Sequence, residues 1–134
     1  MNSTHLEGAV RTLAEERGYA FRSGPESDMT HAVGSYPAAW LAPLELREID
    51  GRKHGRIVYD LTLHLMHPGA RLSPARRREA LAETERQALD IFTALSDDER
   101  VIAVTELSLR PRIFALTPHG EIAQTATARI VTWF

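Results

Sequence analysis

Ile57-Val58-Tyr59-Asp60-Leu61-Thr62-Leu63-His64-Leu65-Met66 is the stretch on which the fold turns. Ile57, Tyr59, Leu61, Leu63 and Leu65 recur at every second position, and Val58, Asp60, Thr62, His64 and Met66 fill the places between. Successive side chains of a strand point to opposite faces, so this pattern marks a strand in a sheet with one buried and one partly wet face. Upstream, Leu44 to Ile49 makes a second strand. The connection, Asp50-Gly51-Arg52-Lys53-His54-Gly55, carries the Asp-Gly step of a hairpin, and its tip is basic.

Downstream, His67 to Leu72 breaks the pattern. Ser73 then caps a helix, with Pro74 at the first helical position, where a missing N–H costs nothing. Leu81, Thr84, Ala88, Ile91, Phe92 and Leu95 line one side of that helix, Pro74 to Leu95, which is about 33 Å long. Ser96 to Arg100 ends it. Val101 to Arg110 alternates again, with Val101, Ala103 and Thr105 on one face, continued by Leu107 and Leu109, and Ile102, Val104 and Glu106 on the other. Pro111 interrupts, Arg112 to Leu116 starts a further strand, and Thr117-Pro118-His119-Gly120 reads as a turn. Glu121 to Phe134 is a long closing strand, with Ile122, Ala126, Ala128, Ile130, Thr132 and Phe134 on one side.

Ahead of the hairpin, Ser3 or Thr4 can cap a first helix, Leu6 to Arg17, with Glu7 completing a capping box and Gly18 ending it. Tyr19-Ala20-Phe21 suits a short strand, and Arg22 to Gly34 has the composition of a loop. Ser35 to Ala42 is expected at a sheet edge because of Pro37 and Pro43. These segments predict a single α+β domain over residues 1–134. An antiparallel sheet of about four to six strands would carry the long helix on one face and a shorter N-terminal helix beside it.

Length and composition agree with one core: 134 residues, 43% hydrophobic and 25% charged. The net charge of −2 sets up no global field for nucleic acid or anionic membrane, so neither is expected as a partner. The absence of cysteine excludes disulfides, thiol catalysis and thiolate metal sites. No secretory leader pattern and no run of about 20 apolar residues is present, so a cytoplasmic protein is expected.

The candidate chemistry is sparse. Asp60, His64 and His67 are neighbours in sequence, but a metal needs three or four converging ligands, and no metal site is expected. No nucleophile motif or phosphate loop is present, so no catalytic residue and no cofactor are assigned. Arg71, Arg76, Arg77 and Arg78 crowd the start of the long helix. They read as a solvated face compensated by Glu79, Glu83 and Glu85, or as an electrostatic contact with an acidic partner or nucleic acid. For Trp40, Trp133 and Phe134 core packing is the default expectation, and burial against a neighbouring subunit is the alternative.

The order of segments resembles the tail terminator (tail completion) proteins of long-tailed phages and prophages. The resemblance rests on the leading helix Leu6 to Arg17, the variable segment after it, and the hairpin Leu44 to Met66 with its basic tip. The long helix Pro74 to Leu95 and the closing strands Val101 to Arg110 and Glu121 to Phe134 complete it. It implies a non-enzymatic homo-oligomer, a ring that is often a hexamer, which caps the tail tube and joins it to head-connector proteins in the virion. Arg52, Lys53, His54, Trp40, Trp133 and Phe134 are then the expected interface residues. The alternatives are a ligand-binding or enzymatic domain with a pocket between sheet and helix, using Tyr59, Asp60 and His64, and a dimeric adaptor that binds through an edge strand.

Overall fold

The computed structural model describes residues 2–51, 55–69, 71–112 and 120–133. The hairpin tip Arg52-Lys53-His54, the terminal Phe134 and residues 113–119, which include most of the expected strand and turn after Pro111, lie outside that set. The elements in order are α1 (Asn2–Glu16), β1 (Ala20–Ser23), a 3-10 turn (Glu26–Asp28), α2 (Met29–Ala32) and β2 (Ala38–Leu41). Then come β3 (Glu45–Asp50), β4 (Arg56–His67), α3 (Pro74–Leu95), β5 (Val101–Pro111) and β6 (Ile122–Trp133). The architecture is α+β, with a six-stranded sheet, a long helix and an N-terminal helix.

β4 is the spine of the sheet. It pairs along its whole length with β6, Arg56 opposite Trp133 through His67 opposite Ile122. Its other edge carries β2 against Leu63 to Met66 and β3 against Arg56 to Asp60. β2 and β3 run in the same direction along that edge, interrupted at Ala42-Pro43-Leu44. β5 lies outside β6, and β1 lies outside β2. The expected antiparallel sheet is therefore mixed at one margin, because β1 joins β2 in parallel. Residues 24–37 cross over the sheet between these two strands, which returns the chain in the same sense. That crossover contains the 3-10 turn and α2, so the expected loop is partly helical. β2 is internal, not an edge strand. Pro37 and Pro43 flank it without removing any of its donors.

The period-two pattern of β4 partitions as expected. Tyr59, Leu61, Leu63 and Leu65 join Ala126, Ala128 and Ile130 of β6 beneath Leu6, Val10 and Ala14 of α1 and Ala88, Ile91 and Phe92 of α3. On the reverse face, Met66 packs with Trp40, Ala38 and Ala123 under Met29 and Val33 of the crossover. Both faces of the sheet are thus covered at the β2 end, and the remainder of the reverse face is open.

Local signals explain the helices. Ser73 Oγ accepts the backbone N–H of Arg76, and Pro74 opens α3. Gly18 ends α1 in the left-handed region, at φ 85°. α1 begins earlier than the capping box suggests, since Ser3 and Thr4 are already helical. Asn2 takes over the anchoring: its buried amide donates to Thr132 Oγ1 and the Trp133 carbonyl, tying the helix to the closing strand.

β5 departs from its expected alternation. An extra residue intrudes between Val101 and Ala103, and another between Thr105 and Ser108, where Glu106 has φ 54°. Each bulge resets the phase. Val101, Val104, Leu107 and Leu109 therefore face the helices, and Ala103 and Thr105 do not.

Candidate functional site

The three residues expected to share a pocket are on opposite faces. Tyr59 is buried beneath the helices. Asp60 and His64, being an odd number of positions away, stand on the reverse face. The space between sheet and helices is filled by Leu61, Leu63, Leu65, Ile91 and Phe92, each at most 2% exposed. Strand parity therefore prevents Tyr59, Asp60 and His64 from converging as the pocket reading required.

Asp60 belongs to a row of charges that crosses the open face. Arg47 Nη1 donates to Asp60 Oδ2 at 3.0 Å, and Arg129 Nε lies 3.6 Å from Asp60 Oδ1 and 3.0 Å from Glu106 Oε2. The row joins β3, β4, β6 and β5. Its side chains are a third or more exposed, so each pair contributes about 0–1 kcal/mol. A shallow depression of about 280 Å³ lies over it, floored by Thr62 and Thr127.

His64 is buried. Its Nδ1 shares a 2.8 Å hydrogen bond with Thr125 Oγ1. Its Nε2 lies 3.3 Å from Glu26 Oε1 of the crossover, close enough for charge attraction but outside hydrogen-bond geometry. Burial pushes its pKa down, and Glu26 opposes that push only in part. On the helix side, His67 Nε2 is hydrogen-bonded to Tyr19 OH at 2.5 Å. Burial lowers the pKa of His67 and raises that of Tyr19, with Glu83 nearby adding to the latter. These groups hold segments together, and among the described residues no three His, Asp or Glu side chains are placed to hold a metal.

The expected interface residues divide. Trp40 is 1% exposed, lies in the reverse-face core and donates its Nε1 hydrogen to the Gly24 carbonyl, so it is a packing residue and offers nothing to a partner. β2 being internal is the physical reason. Trp133 is 49% exposed although its Nε1 donates to the Glu99 carbonyl. Ile102 is 54% exposed at the same end of the sheet.

Two surfaces were not singled out in the sequence. All six residues of β3 are exposed, including Leu46 at 55% and Ile49 at 59%. β3 pairs only with β4 among the described strands, so its outer edge is free, and the same holds for β5 outside β6. The alternation of Leu46 with polar neighbours was the available signal, but edge or interior status is a property of the whole sheet. Between α1 and the end of α3 runs an open groove of about 610 Å³ that includes Gly8, Thr12 and Asp97, and His5 pairs with Asp98 at 2.8 Å beside it. No helix among the described residues is long and apolar enough to cross a membrane.

No protein-family model matches this sequence, and no curated protein is significantly similar to it.

Proposed function

We propose that the chain is a non-enzymatic structural subunit that closes into a homo-oligomeric ring through its sheet edges, as the tail terminator proteins it resembles do. In this reading the ring caps a tail tube and joins it to the head, acting by steric fit in the cytoplasm and then in the virion. Its partners are further copies of itself, tail-tube proteins and head-connector proteins. No cofactor takes part.

One observation carries the proposal. β3, β4, β6 and β5 alternate in direction, and both outer edges of this run are free among the described residues. An even number of alternating strands leaves the two edges opposite in sense. Copies related by rotation about an axis along the strands would bring β5 of one beside β3 of the next as an antiparallel pair. Such head-to-tail contacts generate closed rings when the rotation closes. Leu46, Ile49 and Ile102 supply apolar area on those edges. Glu45, Arg47, Glu48 and Asp50 keep β3 from indiscriminate pairing.

The same edge supports one rival. Two β3 strands paired antiparallel about their centre would set Leu46 against Ile49 and Arg47 against Glu48, giving a two-fold dimer and the adaptor reading. Light scattering after size exclusion, over a range of concentrations and with tail components added, separates them. The ring predicts a closed species near six times the 15.0 kDa subunit, alone or with those components. A dimer favours the adaptor, and a monomer that persists with tail components present overturns both.

A further inference from the structure

We propose that the row of charges on the open face selects which edge of one copy meets the next, with Glu106 of one subunit pairing with Arg47 of its neighbour. This inference rests on the ring reading above and names the contact that orients it. From β3 to β5 the row alternates in sign: Arg47 on β3, Asp60 on β4, Arg129 on β6 and Glu106 on β5. Its two ends lie on the two outer strands of the run and are unlike, a guanidinium on β3 and a carboxylate on β5. Head-to-tail copies therefore continue the alternation from one subunit into the next.

The inner members of the row have an opposite charge on both sides. Asp60 lies between Arg47 and Arg129, and Arg129 lies between Asp60 and Glu106. Arg47 and Glu106 have one on a single side, and they are the more open, at 44% and 61% side-chain exposure against about a third for the inner two. Arg47 spends its Nη1 on Asp60, and among the described residues its Nε and Nη2 have no partner. Both outer strands bulge at the row. Arg47 is the extra residue between Leu46 and Glu48, and the extra residue of β5 falls between Thr105 and Ser108, where Glu106 has φ 54°. A bulge re-aims a side chain and leaves its residue out of the ladder, so each end of the row is positioned by one.

The heights of the two ends agree with a ring. Rotation about an axis along the strands leaves every residue at its own height. Asp60 stands opposite Arg129 and Arg129 opposite Thr105, so Glu106 is displaced to one side of that line and Arg47 to the other. The offset at a junction is about two residues, roughly 7 Å along the strand, which the combined reach of arginine and glutamate side chains covers. Two-fold pairing of β3 with β3 leaves Glu106 out of the contact, and pairing β5 with β5 brings two Glu106 carboxylates to one junction, which like charge disfavours. Within one subunit Arg47 and Glu106 are three strand spacings apart, about 14 Å. That exceeds the screening length of about 8 Å at physiological salt, so direct coupling between them arises across the boundary.

The test is sedimentation velocity of the intact protein over a range of concentrations, under the condition in which wild type assembles. Arg47→Glu gives a copy with two acidic ends and Glu106→Arg a copy with two basic ends. Each alone should need roughly tenfold or more protein to assemble. An equimolar mixture of the two should recover assembly, because the native pair and its reversed form alternate around an even-numbered ring. The double variant Arg47→Glu/Glu106→Arg should assemble as wild type does. If the single reversals fail to fold by circular dichroism, Arg47→Gln and Glu106→Gln replace them, and the double Gln variant should then lose no more than either single. Folded variants that assemble as readily as wild type overturn this contact and leave the ring standing. So does a mixture that stays dissociated, or a double Gln variant whose losses add. A dimer that Arg47→Glu abolishes and Glu106→Arg leaves intact assigns the edge to two-fold pairing and overturns both, as does wild type that stays monomeric with tail components present.

Discussion

Replacing Gly69 by alanine tests the packing that joins α3 to the sheet. Gly69 is buried in the β4–α3 turn, and its carbonyl accepts from Arg77 Nη1 at 3.0 Å. A methyl group there would lie 2.8 Å from the Gly120 carbonyl oxygen, the Ile122 nitrogen and Ile122 Cγ1, where ordinary contact begins at 3.4 Å. Two of those three atoms are backbone, so no rotamer change relieves the overlap, and the turn must move away from β6 by about half an ångström or more. Overpacking of this kind costs about 1–3 kcal/mol. For a domain of this size that lowers Tm by roughly 3–15 °C. Urea unfolding measures it, with an unchanged m-value showing that the same surface is exposed. Gly8→Ala is the internal control. Gly8 sits inside α1 with nothing within 4 Å of the added carbon, so alanine stabilises the helix by about 0.5–1 kcal/mol. If Gly69→Ala is as stable as wild type, the close approach of turn and β6 is wrong.

Leu63→Ala, at a fully buried site at the centre of the sheet, should cost about 2–5 kcal/mol in the same assay; a loss below 1 kcal/mol would show that the cavity collapses. His64 and His67 both have folded pKa values below the ordinary 6.5, so the unfolded chain takes up their protons first as pH falls. Stability is then full above about pH 6.5 and declines below it by up to about 1.4 kcal/mol per pH unit for each histidine, until the folded pKa is reached. His64→Gln should flatten that decline relative to wild type, and an unaltered profile would refute the assignment. Leu46→Lys/Ile49→Lys places charge on the free edge of β3, where both side chains are mostly exposed. It should leave the urea midpoint within about 0.5 kcal/mol while shifting the light-scattering mass to the monomer, and an intact oligomer would remove β3 from the interface.

Local patterning made much of the fold legible. The alternation from Ile57 to Met66 assigns β4 and its two faces, because a strand has no freedom over which side successive residues take. Ser73 and Pro74 locate the start of α3, because capping is satisfied within one turn. The candidate site was far less legible. Tyr59, Asp60 and His64 are close in sequence, yet the parity that identified the strand also separates them, and that parity could have been applied to the pocket from the outset.

What the sequence determined by itself is what depends on neighbours a few residues apart: the strand periods, the helix caps and the turns. The tertiary structure decided everything that depends on which segments meet. Trp40 became core because β1 covers one edge of β2 and the crossover covers its reverse face. β5 changed phase because two bulges fit eleven residues to the shorter span of β6 that faces them. The start of α3 and the end of β5 are both fixed to the first residues of β6, because Gly69 packs against Ile122 and the Arg112 N–H bonds to the Ala123 carbonyl, contacts that no local pattern specifies.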